Sequence, residues 1–362
     1  MRLVYRILVA YRCLGVRVVA FCLLLMALCA SCGGSSAPEG QEGPGSEAPP
    51  PQVALIGKGH QAPRIPERPE PVVEADLPTG ILVMIDNYEP ARPQMGVDKA
   101  DVVFEIIAEG GITRYMALFY TEAAPVIGPV RSARYYFVQL AKGMDLPFAR
   151  VGGADDAQIM IGSLRIKDID EITNSQRYFW QDPARRRPHS TYTSTDMLVE
   201  AAANKRYEFK APDLPPVATS FSGAALDGGQ LTVTYPAGGS GYAVQWIWDA
   251  SLGDGGQYLR HINGKAQYTA DGAPMVADTV FVVAAPSRSR TIDGVVTSAV
   301  DIVGSGDALC IVDNKIIRGT WVKESAERPL IVSDTSRDLM TRKQGKLWIQ
   351  VVDSLENVHF GQ

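Results

Sequence analysis

A glycine pair between two apolar runs constrains this chain more than any other feature. Gly110 and Gly111 separate VVFEIIA from ITRYMALFY, and paired glycines supply the positive φ angles of a tight two-residue hairpin turn. A hairpin closed there sets Glu109 opposite Ile112, Ile107 opposite Arg114 and Glu105 opposite Met116. Side chains alternate with period two, so Glu105 and Arg114 are expected on one face as diagonal neighbours, a charged pair inside an apolar hairpin. The stretch from Asp101 to Arg134 therefore organises the fold and also holds the densest set of polar groups.

The chain has 362 residues and a net charge of −5, long enough for two folding units. Its mild acidity and lack of long Lys/Arg runs argue against nucleic acid as a partner, because neutralising phosphates needs a basic footprint. At the start, Arg2, Arg6, Arg12 and Arg17 precede the apolar run VVAFCLLLMALCA, and Ala30-Ser31 sets up cleavage before Cys32. This resembles a bacterial lipoprotein signal over residues 1–31, in which Cys32 would be diacylated, although Cys29 stands where such signals usually carry Leu. An uncleaved anchor and an ordinary secretory signal are the other readings, and all three place the body of the chain outside the cytoplasm. Residues 32–78 are rich in Gly, Ser, Pro and Glu and read as a disordered tether. Beyond the signal and Cys32 only Cys310 remains, inside the apolar run DALCIVD, which reads as core.

Folded pattern begins near Thr79. GILVMID, residues 80–86, reads as a strand buried on both faces, and the following loop brings Arg92 and Gln94 near its end. RSARYYFVQLAKG reads as a helix with Tyr136, Phe137, Leu140 and Ala141 inward, and it places Arg131 and Arg134 one turn apart at the helix start. Basic groups there oppose the helix dipole unless an anion is bound. A short strand over residues 148–151, a Gly152-Gly153 turn and helices near Ala157 and Asp196 follow. Residues 79–212 thus read as an α/β (α+β) domain. After a Pro-rich join the period changes, and residues 213–362 read as an all-β domain. There YAVQWIWD alternates, Asn263-Gly264 closes a hairpin, and Trp246, Trp248, Trp321 and Trp348 read as core. Arg260 and His261, beside that turn, read as a solvated face.

Several ordered motifs carry a resemblance: IDN at 85–87, ARPQMGVDKADVVFE from 91, EGGITR at 109–114, IGPVRSAR at 127–134, GGAD at 152–155, FWQD at 179–182 and RPHSTYTS at 187–194. Together they resemble the YerB-like family of bacterial lipoproteins over essentially everything from Thr79 onward. The resemblance implies an N-terminal α/β layered sandwich and a smaller C-terminal β domain, and it brings no established activity.

The candidate site gathers Asp86, Asn87, Arg92, Asp101, Glu105, Glu109, Arg114, Arg131, Arg134, Asp155 and His189. Several arginines among several carboxylates suit an anionic ligand, since guanidinium forks bind carboxylate or phosphate with two hydrogen bonds. The same composition also suits an internal salt-bridge network that fixes hairpin, loop and helix. No nucleophile elbow, metal-binding histidine pair, phosphate-cradling loop or cysteine-histidine pair occurs. Asp86, Asp155 and His189 lack the spacing of a local metal signature, so neither metal nor cofactor is expected. The expected protein is a membrane-tethered extracytoplasmic lipoprotein that binds an envelope protein or an anionic wall polymer through this cleft. The alternative is an envelope hydrolase using His189 or a carboxylate, although nearby arginines would push carboxyl pKa values down, away from general-acid duty.

Overall fold

The structure is a computed structural model that describes residues 77–235, 242–292 and 295–361. The signal, Cys32 and the tether up to residue 76 lie outside the described residues.

The first half contributes β1 (Ile81–Asp86), β2 (Val102–Ile107), β3 (Thr113–Phe119), α1 (Tyr135–Met144), β4 (Phe148–Arg150), α2 (Asp155–Ser163), β5 (Asp168–Asp170) and α3 (Thr195–Asn204). β1 is buried along its whole length, as its unbroken apolar run requires. It lies antiparallel to β3 on one side and parallel to β4 on the other, and β5 adds parallel to β4. Tyr136, Phe137, Leu140 and Ala141 of α1 are all buried. Ser194 caps α3 by accepting from the Met197 backbone N–H.

The second half is mostly β. Strands Thr279–Ala284, Gly304–Val312, Lys315–Lys323 and Ile331–Asp334 run in the same sheet as β1 to β5. The join is the strand Leu347–Val352, which lies between β2 and Thr279–Ala284 and is parallel to both. All six of its residues are buried, and each fully buried aliphatic side chain there contributes about 1.5–3 kcal/mol. A mixed α/β first half and a mostly-β second half therefore share one eleven-stranded sheet. A second sheet, built on Gln230–Tyr235, Tyr242–Asp249 and Gln257–Ile262, packs on the face of the large sheet that carries Tyr115 and Trp348. Trp246 meets Trp348 edge-on there, with ring centroids 5.0 Å apart. A separate ribbon pairs Ser287–Ile292 with Val295–Val300.

The glycine turn forms as expected, with φ of 59° at Gly110 and 77° at Gly111, but the strands beyond it are shifted by one residue. Ile112 N–H donates to Glu109 O, yet Ile112 O accepts from Ala108 N–H instead of from Glu109. Ala108 and Glu109 thus both oppose Ile112, a β-bulge that adds one residue to the incoming strand. Glu105 consequently faces Tyr115, and Ile106 faces Arg114. A one-residue shift exchanges the two faces of a strand, so Glu105 and Arg114 point to opposite sides of the sheet and the expected diagonal pair does not exist.

The start of α1 also differs from expectation. Arg131 N–H donates to Met84 O, its carbonyl accepts from Val151 N–H, and Val130 bridges Ile85. Residues 130–133 are therefore held extended at the ends of β1 and β4, and the helix begins only after Arg134, its N-cap. Arg131 belongs to that extended segment and not to a helical turn.

Candidate functional site

The bulge and the extended segment place a compact cluster of charge at the C-terminal end of β1. Glu109, beside the hairpin turn, receives Arg114 on one carboxylate oxygen and Arg134 on the other. Arg114 also donates to Ser132 O at 2.7 Å, which fastens the hairpin to the extended segment. Asp86, the last residue of β1, takes Arg131 Nε at 3.0 Å and His189 Nδ1 at 2.6 Å on the same oxygen. Its other oxygen accepts from Tyr88 N–H at 3.0 Å, and the Tyr88 ring lies 5.6 Å from that of His189. A carboxylate only accepts, so His189 donates to Asp86 through Nδ1.

Arg131 and Glu109, with side chains 24% and 23% exposed, open this cleft to solvent, whereas Arg114 and Asp86 lie at its floor. Three guanidinium groups face two carboxylates, and one of the carboxylates is shared with His189. Burial lowers the pKa of Arg131 and of Arg134, and the neighbouring Arg114 charge lowers both further, against the opposing pull of Asp86 and Glu109. The cleft holds its positive charges against their own repulsion.

Other candidates belong elsewhere. Glu105 is fully buried and points toward the second sheet, where Arg260 Nη2 reaches its two oxygens at 2.7 and 2.8 Å. Thr113, Tyr242 and Gln350 complete its shell at 2.7 to 2.9 Å. Asn87 joins this knot through Thr113 and Tyr242, and its own oxygen atoms receive Arg92. Gln94 donates to the Asp86 backbone carbonyl and to the Asn87 side chain, as its nearness to the strand end suggested. Asn87, Arg92 and Glu105 thus tie the two halves together. Asp101 sits at the far end of β2 and accepts from the Tyr120 and Thr121 backbone N–H groups, a turn-closing role outside the cleft. Asp155, exposed as the first residue of α2, joins none of these pairs. Among the described residues no three His, Cys, Asp or Glu side chains are placed to hold a metal ion. No helix among them is long and apolar enough to cross a membrane.

Residues 70–208 match the N-terminal domain, and residues 231–349 the C-terminal domain, of a family described as protein of unknown function (DUF3048). The chain is 30% identical over 278 residues to YerB of Bacillus subtilis (strain 168), a candidate lipoprotein by its name; the match spans 76% of this chain and 82% of the relative. The chain belongs to the DUF3048 family. The crystal structure of the Bacillus subtilis YerB protein superposes with a TM-score of 0.69 at 26% identity, over 78% of this chain and 94% of that one. The family and its two-part fold agree with the resemblance read from the motifs, and the family description assigns no activity.

Other residues, in the buried knot and beside this DUF3048 cleft, carry little or misleading signal in the sequence. Arg260 is fully buried against the rings of Tyr115 and Trp348, at 5.4 and 5.2 Å, and is not a solvated residue. The alternation Tyr258, Arg260, Ile262 did carry the signal, because all three share the buried parity of their strand. Tyr88, which flanks His189, and Arg290, whose guanidinium lies over the ring of Tyr135 at the start of α1, had no local signature.

Proposed function

We propose that this DUF3048 protein is a lipid-tethered extracytoplasmic protein whose Arg114–Arg131–Arg134 cleft binds an anionic group of an envelope component. The observation that carries the reading is the crowding of three guanidinium groups over two carboxylates, with the Arg131 and Arg134 pKa values lowered by burial and by Arg114. An anion seated there relieves that repulsion and gains two-pronged hydrogen bonds from groups already held in place. The tether and Cys32, with a relative named as a candidate lipoprotein, support placement at a membrane surface.

The test is binding of the purified full-length protein in non-ionic detergent to anionic envelope fragments. Arg131→Gln should abolish retention while leaving the unfolding midpoint unchanged, and undiminished retention would remove the cleft from the account. Cys32→Ala should leave the membrane fraction, whereas persistence there with an intact signal would favour an uncleaved anchor.

The 2.6 Å Asp86–His189 pair favours one second reading, a hydrolase in which Asp86 orients His189 as a general base. Mass analysis of envelope polymer incubated with the protein separates the two, since turnover lost in His189→Ala would replace binding by catalysis.

A further inference from the structure

We infer that the cleft continues along a row formed by Glu109, Thr297 and Arg290 and that its ligand is a linear chain of anionic groups, an inference that rests on the anion-binding reading above. The ribbon of the second half reaches the hairpin tip: Glu109 forms an antiparallel bridge with Thr297, and Ser298 N–H donates to Ala108 O at 2.9 Å. Within the ribbon Thr297 faces Arg290. Directly opposed residues of antiparallel strands project to the same side, so the three side chains form one row about 10 Å long, two strand spacings. Its first member carries Arg114 and Arg134.

The row's other two members hold polar atoms that nothing in the described chain occupies. Thr297 is 4% exposed and its Oγ1 has no hydrogen-bond partner. A buried hydroxyl in that state is costly, and native structures rarely leave such a group without a role. Arg290 spends Nη2 on Asp156, while its Nε is buried without a partner. Its guanidinium lies 4.8 Å from the ring centroid of Tyr135, next in sequence to Arg134. Tyr135 in turn donates to Val300 O at 2.9 Å, which fixes the ribbon against the start of α1.

Counted along the row and cleft, Arg114, Arg131, Arg134 and Arg290 stand against Asp86, Glu109 and Asp156. A single anion reaches the Arg131 end alone. A chain bearing successive phosphate or carboxylate groups sets one charge at Arg131 and a later one at Arg290, with a spacer oxygen beside Thr297 Oγ1.

The experiment titrates the full-length protein in non-ionic detergent with orthophosphate, linear polyphosphate and oligogalacturonate, for wild type, Arg131→Gln, Arg290→Gln and Thr297→Val. Arg131→Gln should weaken orthophosphate and chain alike. Arg290→Gln and Thr297→Val should leave orthophosphate unchanged and weaken the chain about tenfold, the loss of one hydrogen bond to a charged ligand. Thr297→Val removes only a hydroxyl without a partner, so its urea midpoint should hold or rise and a folding defect cannot mimic the result. Tighter binding of polyphosphate assigns phosphate as the repeating charge, and tighter binding of oligogalacturonate assigns carboxylate. Chain affinity equal to that of orthophosphate, or unchanged in both row variants while Arg131→Gln weakens binding, overturns the row and leaves the cleft. No effect of Arg131→Gln on any probe overturns the cleft itself.

Discussion

Glu105 and Arg260 are both fully buried, 155 residues apart in sequence, and form the ionic centre of the contact between the two sheets. Glu105→Gln keeps the shape and removes the charge, leaving Arg260 buried and unpaired with its Nε and Nη1 already lacking partners. Arg260→Met leaves the opposite orphan, a carboxylate that keeps Thr113, Tyr242 and Gln350 but loses its counter-charge. Breaking a buried ion pair from one side costs roughly 3–5 kcal/mol, whereas removing both charges costs far less. A double-mutant cycle should therefore show each single change near that range and a coupling above about 2 kcal/mol. Urea unfolding of the purified protein, read at constant m, measures it. A second cycle on Glu105 and Arg114 supplies the control, since the bulge puts them on opposite faces and their effects should add within about 0.5 kcal/mol. Additive effects for Glu105 and Arg260, or strong coupling between Glu105 and Arg114, would refute the register and the knot built on it.

Other outcomes follow from single positions. Lys323 is fully buried, donates to the Ala326 and Arg328 carbonyls, and has its pKa lowered by burial to about 8. A lysine that binds its proton less well when folded opposes folding at low pH, so its contribution to stability should rise from about pH 8 toward its ordinary value of 10.5. Lys323→Met should flatten that slope in urea midpoints measured across this window. A methyl group on Gly319 would sit 1.9 Å from Ser333 O, so Gly319→Ala should push Lys315–Lys323 from Ile331–Asp334 and lower stability by about 1–3 kcal/mol in urea unfolding. Cys310 is buried, with its thiol pKa raised by desolvation. It should resist alkylation in the native protein and react in urea, as peptide mass analysis would show.

The sequence made the turn legible and left the bulge hidden, for a physical reason. Gly110-Gly111 demands positive φ, whereas one extra residue at Ala108–Glu109 leaves no mark when both faces of the hairpin are buried and each carries a charge. With the register hidden, the partner of Glu105 was hidden too, since Arg260 reaches it only through the packing of two sheets. The strand Leu347–Val352 announced itself as an apolar run, but nothing local says that it inserts between β2 and Thr279–Ala284. Asp86 and His189, 103 residues apart, both stand out in the sequence, and the loop geometry brings them together. The pattern around Arg131 and Arg134 points to a helix start that only Arg134 occupies; both nonetheless reach the cleft, because the extended segment delivers Arg131 to Asp86. Tertiary pairing overrode helix pattern between residues 130 and 133 and kept the charges together.

Nitrogen-resolved NMR of the arginine Nε–H groups, recorded on the full-length protein as orthophosphate is added, tests the anion cleft most directly. The Arg131 and Arg134 signals should shift and saturate together, while Arg260, fully buried against Tyr115 and Trp348, stays still as an internal reference. Arg131 and Arg134 signals that remain as fixed as that of Arg260 throughout the titration would contradict the account.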